Sequence, residues 1–324
     1  MRLFSYQDSK GHDGVGALLK DSSDTFINLS GTDPLIPNRL QEIIQSQESL
    51  NRAAAAIQNS NAIKGKIDSI TFKPPIEKPG KIVCMGLNYA DHAKEGGNAR
   101  PEYPSFFMRG PSSLTAHLSP ILRPRVSDKL DYEAELAFVV GKQARHLTLE
   151  NALDCVAGYS IFNDGSIRDY QRKTNQWTIG KNFDQTGAFG PWLVTPDELP
   201  LGCDGLNIQS RLNGKVMQNA NTKDFLWGVA ETIVLISECM TLEPGDVVIT
   251  GTPAGVGYAR TPPVFMRAGD ICEIEIESIG VLRNTIVDES WPVNHINPKL
   301  GLKKYRFDLF SGEQITWASI KMLP

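Results

Sequence analysis

Short apolar runs closed by turn-forming residues dominate the chain from residue 81 onward. Runs of this length, bounded by Gly, Pro, Asn or Asp, are typical of β-strands. The strand candidates are 82–85, 136–140, 156–162, 192–195, 206–212, 247–250 and 271–276. Two segments have helical spacing instead, a short one at 149–156 and a longer one at 222–240, where apolar residues recur on one face. The pattern therefore predicts a strand-rich α+β domain.

The N-terminal residues follow a different pattern. Positions 2–8 and 14–20 read as short strands around a glycine-rich turn, and 38–58 has helical spacing. The segment 73–80 contains three prolines and a glycine, which is the composition of a rigid connector. We therefore predict a small N-terminal α/β unit at 1–75, the strand-rich domain at 76–290, and a C-terminal extension at 291–324 to which the sequence assigns no role.

Composition and charge exclude several classes of protein. Hydrophobic residues make up 41% and charged residues 22% of the 324 positions, which is the range of folded globular proteins. The 33 Lys and Arg residues against 37 Asp and Glu residues give a net charge of −4. The chain therefore has no excess positive charge for nucleic acid or for an anionic membrane surface, and we expect neither as a partner.

The sequence also favours a cytoplasmic protein. No apolar run approaches the roughly 18–20 residues of a membrane-spanning helix, and the N-terminus is too polar for a signal peptide. Five cysteines lie far apart, without a CxxC pair, and an odd number does not suit a disulfide framework. These features predict a reducing, cytoplasmic environment.

Glu133 and Glu135 are the first candidates for chemistry. Strand alternation places both side chains on one face, and the residues that follow are apolar on both faces, so the strand is predicted to be buried. Burial of a charged side chain is costly, so two buried glutamates indicate a functional role. The alternative is that they form the polar rim of a sheet. The segment 273–277 gives a contrast, because its acidic face stays acidic throughout, as in a half-exposed strand.

A third carboxylate, Asp164, follows the apolar run 156–162. Alone, an aspartate at a strand end is often a turn former or a helix cap. Together with Glu133 and Glu135 it makes a set of oxygen donors without His or Cys, which suits Mg²⁺, Mn²⁺ or Ca²⁺ better than zinc. Three protein ligands would leave coordination positions for water and substrate.

His92 and Glu95 lie three residues apart on a predicted short helix, so their side chains face each other. A carboxylate beside an imidazole orients the ring and raises its basicity, as in a general base. The alternative is a surface ion pair. Gly96 and Gly97 follow, and the segment up to residue 101 is predicted to form a mobile lid loop.

A glycine-rich segment at 249–257 follows a predicted strand. It lacks the GK[ST] ending of a P-loop and the GxGxxG pattern of a dinucleotide fold, so nucleotide binding is not supported. Its backbone N–H groups and the Thr252 hydroxyl could still bind a carboxylate, and an ordinary turn is the alternative.

Taken together, these segments resemble the fumarylacetoacetate hydrolase family. The matching stretches occur in the family's order and are 84–95, 131–136, 158–171, 180–184, 190–192 and 251–257. The resemblance implies a catalytic domain at 76–290 built as a rolled mixed β-structure, and a homodimer. It implies a divalent cation, Mg²⁺ or alternatively Mn²⁺ or Ca²⁺, bound by Glu133, Glu135 and Asp164.

The resemblance also implies roles for residues around that cation. His92 and Glu95 match the family's catalytic dyad, and Lys181 is a further catalytic candidate. The predicted contacts to a 2-oxo acid substrate are Tyr89, Arg109, Arg168, Gln171 and Thr252. The family commonly has lysine where this chain has Arg109, so a planar fork replaces a point charge there. For the distal half of the substrate we expect an apolar pocket formed by Tyr103, Phe107 and Trp177.

The leading hypothesis from the sequence is metal-dependent hydrolysis of a carbon–carbon bond in a 2,4-dioxo acid, with His92 and Glu95 activating water. Enolate stabilisation serves other reactions equally well. Decarboxylation of oxaloacetate, tautomerisation of a 2-oxo acid, and hydratase or isomerase steps of aromatic catabolism therefore stay open. A cation-binding protein without catalysis would have no use for His92, Arg168 and Lys181 together.

Overall fold

Strands account for most of the regular structure in the computed structural model, which describes residues 1–19, 22, 24–95 and 102–290. The strands are β1 (Arg2–Asp8), β2 (Asp13–Leu18), β3 (Thr25–Asn28), β4 (Lys64–Lys66), β5 (Ile70–Phe72), β6 (Ile82–Gly86), β7 (Ser105–Arg109), β8 (Leu114–Ala116), β9 (Ile121–Arg123), β10 (Leu130–Asp131), β11 (Ala134–Val140), β12 (Val156–Asp164), β13 (Ser166–Ile167), β14 (Gly187–Val194), β15 (Asn207–Leu212), β16 (Lys215–Asn221), β17 (Val247–Ile249), β18 (Ile271–Ile276) and β19 (Gly280–Asp288). The lid loop and the C-terminal extension predicted from the sequence lie outside these residues.

Helices are fewer and mostly short. They are α1 (Leu29–Thr32), α2 (Leu40–Ile44), α3 (Gln47–Gln58), α4 (Ala90–Glu95), α5 (Arg168–Gln171), α6 (Thr178–Lys181) and α7 (Val229–Cys239). No helix in the described ranges is long and apolar enough to cross a membrane. The strand-rich α+β class predicted from the sequence is confirmed.

The strands form a large mixed sheet, a smaller five-stranded sheet and one short strand pair. The large sheet runs in the order β4-β3-β2-β1-β14-β12-β11-β17-β6-β7, with β5 on β1 and β8 on β14. The five-stranded sheet runs β16-β15-β18-β19-β9, and β10 pairs with β13. Most pairs are antiparallel, but β6–β17, β8–β14 and β9–β19 are parallel.

The N-terminal strands belong to the same sheet as the strands of the following region. Strand β1 pairs antiparallel with β14, with Arg2 opposite Val194 and Leu3 opposite Leu193. Residues Met1–Glu289 form one compact unit. Strands from both sides of the predicted boundary at 75/76 therefore belong to one sheet.

Strand β11 lies between two hydrophobic clusters. Leu136 and Phe138 face one cluster, which includes residues of α7 and of the five-stranded sheet, whereas Ala137 and Val139 face the other, which includes residues of α2 and α3. Every residue of β11 is buried. The prediction that both faces of this strand are buried is confirmed, and it places Glu135 in the interior.

Three helical segments differ from the sequence-based prediction. The helix expected at 38–58 is divided into α2 and α3, because Ser46 leaves helical geometry and its hydroxyl caps α3 by accepting the Ser49 N–H. The helix expected at 222–240 begins only at Val229, after Gly228, whose N–H donates to the Glu231 carboxylate at 2.8 Å. The segment 149–156 forms only a 3₁₀ turn at Ala152–Cys155 before β12.

His117 gives the fold a predicted sensitivity to acid. Its Nδ1 accepts the Arg283 backbone N–H at 3.1 Å, and its ring lies 5.0 Å from the Phe72 ring. Burial, with a smaller contribution from the Arg283 charge, lowers the pKa of His117 to about 4. Because the unfolded histidine titrates near 6.5, the folded state requires the neutral ring, and stability falls as pH drops from about 6.5 towards 4.

The variant His117→Gln keeps an acceptor for the Arg283 N–H but cannot be protonated. We expect the wild type to lose about 1–3 kcal/mol more unfolding free energy than this variant between pH 7 and pH 4.5. Urea unfolding at the two pH values measures the difference. Equal losses in both proteins would contradict the assignment of His117 as the titrating group.

Candidate active site

Eight of the residues predicted for the site line one cavity of about 350 Å³. The cavity lies where β6, β11, β12 and β17 end or begin, and it is closed at the sides by α4, α5 and α6. The predicted residues found there are His92, Glu133, Glu135, Asp164, Arg168, Gln171, Lys181 and Thr252. Segments that are far apart in the sequence therefore contribute to a single site.

Glu133, Glu135 and Asp164 form a buried group of carboxylates. Each offers an oxygen, and these oxygens lie within 4.8 Å of one another. Glu133 is not in a strand, because β10 ends at Asp131 and β11 begins at Ala134. Its backbone N–H donates to the Asn163 side-chain oxygen at 3.0 Å, and its carbonyl accepts the Asp164 N–H at 3.0 Å. These bonds bring the start of β11 and the end of β12 together.

The charges around this group differ from one carboxylate to the next. Burial raises the pKa of Glu135 well above its usual range, and the neighbouring Asp164 and Glu133 raise it further. Burial alone would also raise the pKa of Glu133, but Lys181 and Arg168 lower it below its usual range. Glu135 is thus the carboxylate whose charge is least compensated by the protein.

This donor set fits a divalent cation. All three ligands are carboxylate oxygens, which Mg²⁺, Mn²⁺ and Ca²⁺ prefer, and no nitrogen or sulfur ligand for zinc joins the group among the described residues. A bound cation would also supply the positive charge that Glu135 lacks. The chemistry of the site therefore agrees with the cation implied by the sequence.

Two buried, positively charged side chains, Lys181 and Arg168, lie beside the carboxylates. Lys181 Nζ lies 2.5 Å from Glu133 Oε2 and 2.5 Å from Asp164 Oδ2. Arg168 donates from Nε to Asp131 at 2.8 Å, and its Nη1 lies 2.7 Å from Glu133 Oε1 and 2.9 Å from Gln171 Oε1. The remaining nitrogen, Nη2, is buried and has no hydrogen-bond partner among the residues that the structure describes. Arg168 thus keeps a donor that a substrate oxygen could use.

His92 and Glu95 face each other on α4 as predicted, but loosely. His92 Nδ1 lies 3.5 Å from Glu95 Oε2 and makes no hydrogen bond within the described part of the chain. Both carboxylate oxygens of Glu95 instead accept the backbone N–H of Gly255 at 3.0 Å. His92 lines the cavity, and Glu95 does not. Glu95 therefore attaches α4 to the glycine-rich segment after β17, while His92 faces the cavity.

Two predicted substrate contacts do not line the cavity. The Arg109 guanidinium is buried behind Asp164, 2.5 Å from Oδ1, and also donates to the Thr186 hydroxyl at 3.0 Å. The Tyr89 ring packs on Phe225 with ring centres 5.0 Å apart. The structure thus places Arg109 as a support for one carboxylate. The longer, forked arginine side chain reaches several acceptors around Asp164 at once.

Two of the three residues predicted for an apolar pocket line the cavity. Phe107 and Trp177 line it, and their rings lie 5.6 Å apart. Gly86 permits this packing, because a Cβ there would lie 2.3 Å from the Trp177 ring. Tyr103 is 59% exposed and does not belong to the lining.

Asp131 is a residue that sequence reasoning missed. It is completely buried, and besides Arg168 it accepts the backbone N–H groups of Gly257 at 2.8 Å and of Tyr258 at 3.0 Å. It therefore fixes Arg168 to the glycine-rich segment. The sequence does contain a signal for it, because Asp131 precedes Glu133 at the same spacing of two that separates Glu133 from Glu135.

The comparison with protein families agrees with this geometry. The model of the fumarylacetoacetate (FAA) hydrolase C-terminal domain matches residues 81–287, which contain all of the cavity residues. The chain belongs to the fumarylacetoacetate hydrolase family. The family resemblance found in the sequence is thereby confirmed, as is the fold that it implied.

Several relatives in this family have names that refer to different reactions. An oxaloacetate tautomerase, mitochondrial, from Xenopus laevis is 39% identical over 89% of this chain and 90% of its own length. A structure of fumarylacetoacetate hydrolase from Exiguobacterium antarcticum has a TM-score of 0.77 at 34% identity and covers 89% of this chain and 100% of its own. A structure of 5-carboxymethyl-2-hydroxymuconate delta-isomerase from Mycobacterium smegmatis has a TM-score of 0.70 at 28% identity. The match covers 89% of this chain and 100% of that one.

Proposed function

We propose that this member of the family is a cation-dependent tautomerase that interconverts the enol and keto forms of a small 2-oxo dicarboxylic acid of the oxaloacetate type. The observation that carries the proposal is the pairing of the three carboxylates with one proton-transfer group, His92, in a single cavity. The oxaloacetate tautomerases among the relatives support the choice of substrate.

Glu133, Glu135 and Asp164 would hold the cation. When bound, it supplies Lewis-acid stabilisation for negative charge on the oxygens of a 2-oxo acid. The residues around it divide the remaining tasks. Arg168, through its free Nη2, and the Thr252 hydroxyl would bind the substrate carboxylate.

Lys181 is suited to hold a proton rather than to remove one. Burial would lower the pKa of its ammonium, but Asp164 and Glu133 raise the pKa above its usual value. Lys181 therefore stays charged and stabilises an enolate oxygen. His92 is left as the group that moves the proton. Its Nε2, the ring nitrogen that does not face Glu95, would deliver a proton to C3 of the enol, and the ring would regain a proton as the enol hydroxyl loses its own.

Carbon–carbon bond hydrolysis, the leading hypothesis from the sequence, takes second place. It needs His92 to remove a proton from water while Glu95 orients the ring. The 3.5 Å separation and the engagement of Glu95 by the Gly255 N–H favour a weaker coupling between the two side chains. Proton transfer at carbon requires His92 alone.

A direct assay separates these reactions. The magnesium-loaded protein is mixed with enol-oxaloacetate, and the enol absorbance and pyruvate are both followed; a parallel sample contains acetylpyruvate. We expect rapid loss of the enol signal without pyruvate, and EDTA should abolish the acceleration. Pyruvate release from acetylpyruvate with no acceleration of tautomerisation would support hydrolysis instead. Pyruvate formed from oxaloacetate would indicate decarboxylation.

Two expectations from the sequence stay predictions. The homodimer implied by the resemblance can be tested by light scattering of the purified protein. The cytoplasmic location also stays a prediction, and several relatives are named as mitochondrial proteins.

A further inference from the structure

Arg172 is a positively charged side chain that lines the cavity but has no role in the proposed tautomerisation. Four basic side chains line the cavity within the described ranges, namely His92, Arg168, Arg172 and Lys181. Arg168 and Lys181 are paired with buried carboxylates, and His92 faces Glu95. Arg172 is exposed and has no carboxylate partner among the residues that the structure describes.

The Arg172 side chain lies in a defined place. Its guanidinium carbon lies 4.3 Å from the centre of the Tyr258 ring, and that of Arg168 lies 4.4 Å from the same centre. The backbone N–H of Tyr258 donates to Asp131, which also holds Arg168. The two arginines thus share one fixed aromatic ring, and stacking on it restrains a side chain that would otherwise move freely.

The two guanidinium groups lie close to the same ring, and their like charges repel each other. Glu133 and Asp131 compensate Arg168, whereas nothing described compensates Arg172. An anion that contacts Arg172 would remove the imbalance and gain a charge-assisted, bidentate interaction. The place of Arg172 at the cavity lining means that a ligand can reach it while its other end occupies the buried carboxylate and cation site.

We propose that Arg172 binds the distal carboxylate of the substrate and thereby selects 2-oxo dicarboxylates over 2-oxo monocarboxylates. The inference rests on the proposed function and names the residue that recognises the second carboxylate of its substrate. The keto or enol oxygen and the first carboxylate occupy the inner end of the cavity, beside Lys181 and Arg168. The second carboxylate then lies against Arg172, and the apolar wall of Phe107 and Trp177 flanks the carbon chain.

The experiment compares one matched pair of ligands in the wild type, in Arg172→Gln and Arg172→Lys, and in the control Lys173→Gln. Lys173 is the adjacent exposed cation and does not line the cavity, so its variant removes the same charge without the proposed contact. Malate and 2-hydroxybutyrate differ only in the distal carboxylate and do not tautomerise. Their dissociation constants for the magnesium-loaded proteins are measured by calorimetry, and KM and kcat are measured for enol-oxaloacetate.

We expect Arg172→Gln to weaken malate binding by about 10- to 100-fold and to leave 2-hydroxybutyrate binding within about twofold. KM for enol-oxaloacetate should rise by a similar factor while kcat changes little. Arg172→Lys should recover part of the malate affinity, and Lys173→Gln should behave as the wild type.

The two hypotheses fail in different ways. An unchanged ratio of malate to 2-hydroxybutyrate affinity in Arg172→Gln, or an equal loss in Lys173→Gln, would overturn the role of Arg172. A wild-type protein that selects malate through Arg172 but does not accelerate tautomerisation would overturn the proposed function and leave the carboxylate contact standing.

Discussion

Replacing His92 by glutamine is expected to lower the turnover of enol-oxaloacetate by about 10²- to 10⁴-fold, the usual contribution of a general acid or base. His92 is the one imidazole that lines the cavity within the described residues. Lys181 is a poor replacement, because the neighbouring carboxylates raise the pKa of its ammonium and thereby oppose release of its proton. The cation should bind almost as before, since all three of its proposed ligands are retained.

Steady-state kinetics and magnesium calorimetry on the same preparation test this expectation. His12→Gln is a suitable control, because His12 also has a carboxylate partner, Asp8, but its side chain is 74% exposed and does not line the cavity. If His92→Gln kept most of the wild-type turnover, His92 would be removed from the mechanism. A parallel loss of magnesium affinity would assign His92 to the cation instead of the proton.

The variant Glu135→Gln is expected to lose cation binding and, with it, turnover. Glutamine has nearly the same shape and keeps an oxygen to accept the Gly251 N–H, which lies 2.5 Å from Glu135 Oε2. It removes one of three negative ligands, so we expect magnesium affinity to fall by at least about 100-fold, more than is typical for a residue that only supports a ligand. Calorimetry and the enol assay measure both effects.

The same variant should make the cation-free protein more stable. Burial and the nearby carboxylates raise the pKa of Glu135, so the charged form opposes folding. Stability contributed by the protonated group is present at low pH and is lost as pH rises through the folded-state pKa. Without cation at pH 8, Glu135→Gln should therefore unfold at a higher temperature than the wild type.

Glu275→Gln serves as the control for the effects of Glu135→Gln on magnesium affinity and on turnover. Glu275 is an exposed residue of the five-stranded sheet, is paired with Arg211 at 2.5 Å, and does not line the cavity. Its replacement should change neither magnesium affinity nor turnover. A cation-free Glu135→Gln protein that is less stable than the wild type would show that the carboxylate is stabilised by contacts other than those described.

Much of the fold could be predicted because buried strands leave a clear hydrophobic pattern. Strands β6, β12 and β18 begin at the residues expected from their apolar runs. The helices were predicted less well. Ser46 and Gly228 act as caps through local hydrogen bonds, and these override the apolar spacing that continues through them. Pairing of β1 with β14 depends on contacts between distant segments, which periodicity does not reveal.

The site was predictable where local spacing and chemistry coincide. Glu133 and Glu135 do converge, although the strand is interrupted between Asp131 and Ala134. Contacts across the fold could not be read from the sequence. The position of Arg109 behind Asp164 and the bonds of Asp131 to Tyr258 join residues that are far apart in the chain. The direction in which a side chain points decides whether it faces the cavity, and the sequence gives only the identity of the side chain.

The exchange of the C3 protons of oxaloacetate with solvent deuterium tests the central claim most directly. Proton NMR in ²H₂O follows this exchange together with any pyruvate formed. The magnesium-loaded wild type is predicted to exchange the C3 protons well above the buffer rate without producing pyruvate, and EDTA or His92→Gln should return exchange to that rate. Exchange at the buffer rate in the wild-type protein, with or without pyruvate, would contradict the account.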